Sequence, residues 1–153
     1  DLRNKLDAKQ LEDAVTKLAE ANTIYLVGLR RSFPITSYMS YAFGKLGVRN
    51  MLIDAVGGLA AEDISFSTPQ DCVLAISFTP YASETISLAQ RAAERKVPVI
   101  AITDSPFSPL ASIASSWFEI QEANFEGFRS MAATLSLAMT LTVAVAEMRG
   151  RRN

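Results

Sequence analysis

Hydrophobic residues form two kinds of pattern that alternate along the chain. Leu11, Val15 and Leu18 recur at near-helical spacing among charged residues, which predicts an amphipathic helix over about residues 7–21. Short apolar runs rich in β-branched residues instead predict strands. The expected strands are 23–29, 48–54, 72–77, 97–103 and 116–120, and further helices are expected at 33–46, 57–66, 80–95 and 126–148.

The runs at 72–77 and 97–103 have no alternating polar face, so both of their faces should be buried. Strands of this kind, alternating with helices, are typical of a parallel sheet covered by helices on both sides. Right-handed crossovers leave few topologies for such a sheet. We therefore expect residues 1–153 to form one α/β domain, a three-layer α-β-α sandwich with a five-stranded parallel sheet of flavodoxin-like order 2-1-3-4-5.

The expected strand order predicts where a ligand would bind. In open parallel sheets, ligands lie beyond the carboxyl ends of the strands where the order reverses, here between the first and third strands. The loops at that point are 28–32 (GLRRS) and 77–83 (SFTPYAS). Polar residues in these loops are therefore the first candidates for contact with a ligand.

Four hydroxyl residues follow the third strand closely, namely Ser77, Thr79, Ser83 and Thr85. Hydroxyls at the start of a helix can donate to the oxygens of an anion, which the free backbone N–H groups and the positive helix end also attract. The alternative is that Thr79 and Pro80 simply cap the helix. One cap needs one hydroxyl, so the presence of four favours contact between at least two of them and a ligand.

Two arginines and a serine occupy the loop after the first strand. The guanidinium groups of Arg30 and Arg31 match phosphate or carboxylate in bidentate geometry, and Ser32 follows them. Adjacent arginines are usually only solvated. Their position at the reversal of strand order nevertheless favours contact with an acidic metabolite.

Two later segments add further candidates. Asp104 and Ser105 follow the fourth strand, and the pair Ser108–Pro109 is typical of a helix cap and first turn. Glu126 and Arg129 are expected to open the last helix. An acidic residue there could contact the ligand, or it could only complement the helix dipole.

Composition argues against several kinds of chemistry. The chain contains no histidine, and its single cysteine, Cys72, is expected to be a small buried side chain in a strand. The loop 28–32 contains one glycine and matches neither a dinucleotide fingerprint nor a Walker loop. With a formal net charge of −1, the domain has no overall electrostatic reason to bind nucleic acid. We therefore expect no metal, no cofactor and no catalytic residue.

The sequence gives little indication of secretion or of membrane insertion. Residues 1–15 are charged and lack the apolar stretch of a signal peptide. Segment 130–146 is slightly too short for a membrane span and carries several hydroxyl residues, which favours a helix buried between elements or subunits. These two segments lead us to expect no contact with a membrane. A lone cysteine can form no disulfide within the chain, so we expect a cytoplasmic protein.

Four segments carry a resemblance to a known family. They are IYLVGLRRS, DCVLAISFTPYASETI, VPVIAITDSPFSPLASIAS and FEGFRSMAATLSLAMTL, in that order over nearly the whole chain. Together they resemble sugar isomerase (SIS) domains, and specifically the effector-binding domain of RpiR-type bacterial transcription regulators. The resemblance implies a sheet between helices that binds phosphorylated sugars through a Ser-x-Ser-Gly-x-Thr loop.

The chain matches the loop of that family only in part. The matching positions are Ser77 and Thr79 at the two serines, Glu84 and Thr85 at an acidic residue and a hydroxyl that often follow, and Ser32 in the first loop. Pro80 replaces the family glycine, which removes a backbone donor, and Ala82 replaces the family threonine. The phosphate cradle is therefore incomplete, and the effector could be bound differently or differ from a sugar phosphate.

The resemblance implies a sensor and leaves two other functions open. A sensor would bind a phosphorylated or acidic carbohydrate derivative, form a dimer or tetramer, and contact DNA only through an N-terminal helix-turn-helix domain that this chain lacks. Residues 1–22 would then be a linker helix, and this helix and the helix at 126–148 the dimer surfaces. The alternatives are an aldose–ketose isomerase for sugar phosphates and a ligand-free dimerisation module. Isomerisation needs proton transfer, for which Glu84, Asp104 and Glu126 are the available carboxylates, so we favour a protein that is not an enzyme.

Overall fold

The computed structural model describes the backbone of residues 2–152 and the side chains of residues 8–150. The helices are α1 (Leu2–Glu20), α2 (Phe33–Lys45), α3 (Ala60–Ser65), α4 (Ser83–Glu94), α5 (Pro109–Ile113) and α6 (Ala132–Arg152). The strands are β1 (Ile24–Val27), β2 (Asn50–Ile53), β3 (Cys72–Ile76), β4 (Val99–Thr103), β5 (Ser116–Glu119), β6 (Asn124–Phe125) and β7 (Phe128–Arg129). Short 3₁₀ turns at Arg30–Ser32 and Val56–Gly58 precede α2 and α3.

The five longer strands form one parallel sheet in the order β2-β1-β3-β4-β5, which confirms the predicted topology. Every residue of β3 and of β4 is buried, as expected for strands covered on both faces. At the end of β1, Val27 pairs with Ile53 of β2 and with Ala75 of β3. The carboxyl ends of β1 and β3 therefore lie side by side.

Helices cover both faces of the sheet and enclose two hydrophobic cores. On one face, α1, α2 and α6 pack around Leu18, Met39 and Leu141. On the other face, α3, α4 and α5 pack around Ile64 and Leu88. Full burial of one such side chain contributes about 1.5–3 kcal/mol, so these cores hold the strands firmly and fix the positions of the loops at their ends.

Three helix ends lie where local sequence signals predict them. Pro34 is in the first turn of α2, where its missing N–H costs no hydrogen bond. Gly47 follows α2 with a φ of 75°, a conformation that glycine adopts without steric cost. At the start of α5, Ser108 Oγ accepts a hydrogen bond from the backbone N–H of Leu110 at 3.2 Å, as expected for an N-cap.

The last helix begins later than predicted. α6 starts at Ala132 rather than at residue 126, because β6 and β7 pair as an antiparallel hairpin before it. Glu126 and Gly127 at the tip of the hairpin have φ values of 51° and 84°. Positive φ at both central residues is the requirement of a type I′ turn. The expectation that Glu126 and Arg129 open the last helix is therefore wrong.

The predicted dimer surfaces, α1 and α6, pack on each other within the chain. Arg149 Nη1 donates to the carbonyl oxygens of Ala19 and Ala21, each at 3.0 Å, and so joins the end of α6 to the end of α1. By length and composition alone, one helix in the described part of the chain could cross a membrane, over Ala132–Gly150. Leu141, in the middle of this helix, belongs to the hydrophobic core between the sheet and helices α1, α2 and α6. A role of either helix in dimerisation stays a prediction.

Candidate ligand-binding site

Two adjoining hollows lie beyond the carboxyl ends of β1, β3 and β4. The larger has a volume of about 370 Å³, and the predicted residues in its walls are Arg31, Thr79, Asp104 and Ser105. The smaller has a volume of about 150 Å³, and the predicted residues in its walls are Arg30, Arg31, Ser32 and Ser77. Arg31 and Ser77 therefore lie together at the reversal of strand order. This is the location that the strand order predicts.

Four of the predicted contact residues line neither hollow, namely Ser83, Glu84, Thr85 and Glu126. Ser83, Glu84 and Glu126 are exposed, whereas Thr85 is fully buried. Thr85 Oγ1 is the one buried side-chain polar atom, among the described residues, without a hydrogen-bond partner. Ligand contact by any of these four residues stays a prediction.

Asp104 holds the loop that follows β3. Its Oδ2 accepts a hydrogen bond from the backbone N–H of Thr79 at 2.9 Å, and its Oδ1 accepts one from the hydroxyl of Tyr81 at 2.6 Å. Burial tends to raise the pKa of Asp104, but the hydrogen bonds from Tyr81 and Thr79 outweigh it and hold the pKa below its ordinary value. Asp104 is therefore ionised at neutral pH, with both oxygens engaged by the loop.

Arg31 and Arg129 converge on one acceptor. Arg31 Nη2 and Arg129 Nη1 both donate to the carbonyl oxygen of Thr79, at 3.2 Å and 3.0 Å. Burial lowers the pKa of Arg31, and the positive charge of Arg129 lowers it further. Within the described part of the chain, neither guanidinium is paired with a carboxylate. The carboxylates of Asp104 and Glu122 oppose this shift of the Arg31 pKa, but both guanidinium groups keep further N–H donors that an anion could engage.

Phe78 packs against Arg31 of this pair. The guanidinium carbon of Arg31 lies 5.0 Å from the centre of the Phe78 ring, within the range of a cation–π interaction. Phe78 is buried and lines both hollows. The aromatic ring thus fixes Arg31 in place without neutralising its charge.

The positive end of α6 is already occupied by a carboxylate of the protein itself. Glu122 Oε1 accepts from the backbone N–H of Ala133 at 3.2 Å, and Glu122 Oε2 accepts from the backbone N–H and the hydroxyl of Thr134 at 2.8 Å and 2.6 Å. These bonds satisfy amide groups that have no partner within the helix. Because Glu122 also lines the larger hollow, the start of α6 is not free to bind a ligand there.

The capping interpretation of Thr79 and Pro80 is wrong. α4 begins at Ser83, and Ala82 in the N-cap position makes no side-chain cap. The hydroxyl-rich loop is therefore not the cap of α4. Ser77 is buried, and its carbonyl accepts a hydrogen bond from Thr103 Oγ1 at 2.7 Å.

Several residues of the larger hollow were missed by sequence reasoning as site residues. They are Phe78, Ile120, Gln121, Glu122, Asn124 and Arg129. Two signals could have found most of them. The segment 121–124 (QEAN) directly follows the predicted strand 116–120 and is mostly polar. The glycine of the Glu126–Gly127 dipeptide, between two aromatic residues, permits the tight turn of a short hairpin. Such a hairpin turns Arg129 back toward the loop after β3.

The cysteine and the carboxylates give no indication of a metal site. Burial in β3 raises the pKa of Cys72 to about 12, so its thiol is protonated at neutral pH. Among the residues that the structure describes, no group of three or more histidine, cysteine, aspartate or glutamate side chains could hold a metal ion. The chemistry of the site is therefore that of arginine, amide, hydroxyl and carboxylate groups.

Comparison with known proteins identifies the family. A family model for the SIS domain matches residues 17–145. The chain belongs to the SIS domain family. The resemblance to SIS domains drawn from the sequence is thereby confirmed, and so is the α/β fold with its strand order.

Two curated relatives have different functions. This SIS domain is 29% identical over 111 residues to an uncharacterized HTH-type transcriptional regulator of Thermotoga maritima, a match that covers 72% of this chain and 39% of that protein. It is also 29% identical over 133 residues to arabinose 5-phosphate isomerase KdsD of Escherichia coli, a match that covers 83% of this chain and 40% of that protein. The chain thus matches about two fifths of the length of these relatives.

Two solved structures share the fold. The sugar isomerase domain of an RpiR transcription factor from Sphaerobacter thermophilus has a TM-score of 0.87 and 24% identity, over 94% of this chain and 80% of that one. The Vibrio vulnificus NanR protein complexed with ManNAc-6P has a TM-score of 0.76 and 23% identity, over 93% of this chain and 53% of that one. At these identities the likeness concerns the fold alone.

Proposed function

We propose that this SIS domain is the effector-sensing domain of an RpiR-type bacterial transcription regulator. Its ligand is a phosphorylated or acidic sugar derivative bound in the hollow of about 370 Å³. The observation that carries the ligand class is the convergence of Arg31 and Arg129 on the carbonyl of Thr79 without a carboxylate partner among the described residues. An anionic group is the natural counter-ion of such a pair.

The remaining walls of the hollow suit the rest of a sugar. Gln121, Asn124 and Ser105 offer amide and hydroxyl groups, which can donate to and accept from sugar hydroxyls. The volume falls within the range of small-molecule sites. The NanR protein, which shares the fold, was solved with a phosphorylated amino sugar, and this supports the same class of ligand here.

An isomerase is the second candidate, because KdsD is a relative at 29% identity. Interconversion of aldose and ketose needs a base free to take a proton from carbon. The carboxylates in the walls of the larger hollow are Asp104 and Glu122. Asp104 is engaged by Thr79 and Tyr81, and Glu122 is engaged by the start of α6. Since the chain also has no histidine, binding without chemistry is the better-supported function.

Signal transmission would start at Glu122, which both lines the hollow and holds the first turn of α6. Arg149 joins the other end of α6 to α1, the helix that leads toward the N-terminus. An effector that binds one arrangement of these helices more tightly shifts the population toward it, by no more than the difference in its two affinities. A helix-turn-helix domain before α1, and dimer contacts through α1 and α6, complete the proposed regulator in the cytoplasm.

A thermal-shift screen tests the sensor against its alternatives. Sugar phosphates, sugar acids and phosphorylated polyols should include a ligand that raises the melting temperature. Arg31→Gln should abolish that shift, whereas Arg91→Gln on the exposed face of α4 should retain it. Incubation with aldose and ketose phosphates in heavy water should leave their carbon-bound protons unexchanged. Exchange would establish the isomerase, and a panel with no stabilising ligand would favour a dimerisation module.

A further inference from the structure

We infer that a third hollow, here called the apolar hollow, binds an apolar substituent of the effector, such as an acyl, alkyl or aryl group. The apolar hollow has a volume of about 440 Å³, and Pro80, Phe128 and Met131 lie in its walls. This inference rests on the proposed function and narrows its class of ligand, because a bare sugar phosphate would leave the apolar hollow empty. It does not depend on which donors hold the anionic group.

Apart from two arginines at its border with the other hollows, the apolar hollow offers little to a polar group. The side chains of Pro80 and Phe128 have no hydrogen-bonding atom, and the sulfur of Met131 is a weak acceptor. The N–H of Gly127, another wall residue, donates to Asn124 Oδ1 at 3.0 Å. The carbonyl oxygen of Met131 accepts from the first turn of α6 at 2.9 Å. A sugar hydroxyl placed here would lose its hydrogen bonds to water without replacement, which costs free energy.

Two walls of the apolar hollow leave apolar surface in contact with water. Phe128 is 77% exposed and Met131 is 40% exposed. Apolar side chains scattered singly over a surface are normal, whereas a concave group of them beside a binding site is typical of contact with a ligand or a partner. An apolar group seated against the ring of Phe128 would remove this surface from water, which is favourable in proportion to the area covered.

The hairpin of β6 and β7 forms a wall between the apolar hollow and the larger hollow. In its register Asn124 pairs with Arg129, and Phe125 pairs with Phe128. Because successive side chains of a strand point to opposite faces, Arg129 and Phe128 lie on different faces of the hairpin. Asn124 and Arg129 line the larger hollow, whereas Phe128 lines the apolar hollow. One hairpin thus presents a polar face to the first hollow and an aromatic face to the second.

The apolar hollow adjoins both hollows of the candidate site. It shares Arg31, Thr79 and Arg129 with the larger hollow, and it shares Arg31 and Pro80 with the smaller one. Arg31 is therefore common to all three. An effector whose anionic group lies near Arg31 can extend its hydroxyls into the larger hollow and its substituent into the apolar hollow. This continuity favours a part of the effector, and not a separate molecule, as the occupant.

Calorimetric titration of the whole chain with two series of sugar phosphates tests this inference. The first series is N-acetyl-, N-butanoyl- and N-hexanoylmannosamine 6-phosphate, and the second is methyl, butyl and hexyl β-glucoside 6-phosphate. Within each series the charge is constant and only the apolar substituent grows. Each buried methylene corresponds to about two- to fourfold in affinity, so in at least one series the last member should bind at least about tenfold more tightly than the first.

A variant locates the substituent within the structure. Phe128→Ala should remove most of the gain along the series and leave the affinity for the first member within about twofold. Phe66, at the end of α3, is 67% exposed and lines none of the three hollows. Phe66→Ala is therefore the matched control and should keep the full gain. Circular dichroism and melting temperature report whether each variant is folded.

Sedimentation velocity tests the other possible occupant, the apolar surface of a second copy of this chain. Under this inference, wild type and Phe128→Ala sediment alike in the absence of ligand. If Phe128→Ala instead dissociates a wild-type dimer, and the series show no gain, a second copy covers the apolar hollow and the inference is overturned.

The titrations also separate this inference from the proposed function. A gain along one series that Phe128→Ala abolishes supports both. If the first members bind but longer substituents add nothing, or if the gain survives in Phe128→Ala, the inference is overturned and the sensor stands. A wild-type chain that binds no member of either series overturns both.

Discussion

The helices α4 and α6 begin near the same site, but side chains of the protein cap only the first turn of α6. α4 starts at Ser83 behind Ala82, which makes no side-chain cap. α6 starts behind Ser130, whose Oγ accepts from the N–H of Ala132 at 3.0 Å, and Glu122 accepts from two further amide groups. A helix end attracts anions in principle, but whether it is free depends on what the tertiary structure has placed there.

The third residue of each helix makes the contrast sharper, because both are buried threonines. Thr134 in α6 donates its hydroxyl to Glu122 Oε2 at 2.6 Å. Thr85 in α4 has no partner for its hydroxyl among the described residues. The threonine hydroxyl at this position is therefore hydrogen-bonded in α6, whereas in α4 it is buried without a partner among the described residues, which lowers stability. Four experiments test this comparison, from the largest expected effect to the smallest.

Glu122→Ala should lower the free energy of unfolding by about 2–3 kcal/mol, because it removes a charged acceptor from the first turn of α6. Urea denaturation followed by circular dichroism measures the change. Glu84→Ala, an exposed carboxylate in the first turn of α4, is the matched control and should cost at most about 0.5 kcal/mol. If both variants lose the same free energy of unfolding, Glu122 does not stabilise α6 more than Glu84 stabilises α4.

Asp104→Asn should destabilise the chain by about 1–2 kcal/mol at neutral pH, since it replaces a charged acceptor of two hydrogen bonds by a neutral amide with one acceptor oxygen. The pKa of Asp104 is lower in the folded chain than in the unfolded one, so its contribution is present above about pH 4 and is lost as the pH falls through the folded pKa. Stability measured against pH should therefore converge for wild type and variant in acid. A constant difference at every pH would contradict this.

Thr134→Val and Thr85→Val should change stability in opposite directions by about 1 kcal/mol each. The first removes the hydrogen bond to Glu122, whereas the second removes a buried hydroxyl that has no partner among the described residues. Paired thermal and urea denaturation of the two variants gives the sign directly. A loss of stability in Thr85→Val would mean that its hydroxyl has a stabilising partner in solution.

Ala82→Ser should stabilise the chain by about 0.5–1 kcal/mol by supplying the cap that α4 lacks. Its φ of −70° and ψ of 116° already have the extended conformation of an N-cap residue. Ala93→Ser in the last turn of α4 is the control, and it should cost at most a few tenths of a kcal/mol, about the difference in helix propensity. Calorimetry should show a higher melting temperature for Ala82→Ser than for the wild type, and no increase for Ala93→Ser.

The sheet could be predicted because its signals are local and strong. The runs around Cys72–Ile76 and Val99–Thr103 are long, apolar and without a polar face, and the topology follows from general rules on parallel strands. The same rules placed Arg31 and Ser77 together. The hairpin β6–β7 was missed, since strands of two residues leave almost no periodic signal and the following helix hides them.

The sequence by itself determined which segments are buried, in what order the strands pair, and at which edge of the sheet polar loops meet. Hydrophobic burial depends on residue type and spacing, which the chain carries along its length. Only the tertiary structure decided that Asp104 closes the loop after β3, that Glu122 occupies the start of α6 and that Arg129 returns to meet Arg31. Such polar contacts join residues far apart in the chain, and their directional geometry exists only after the cores have fixed the loops.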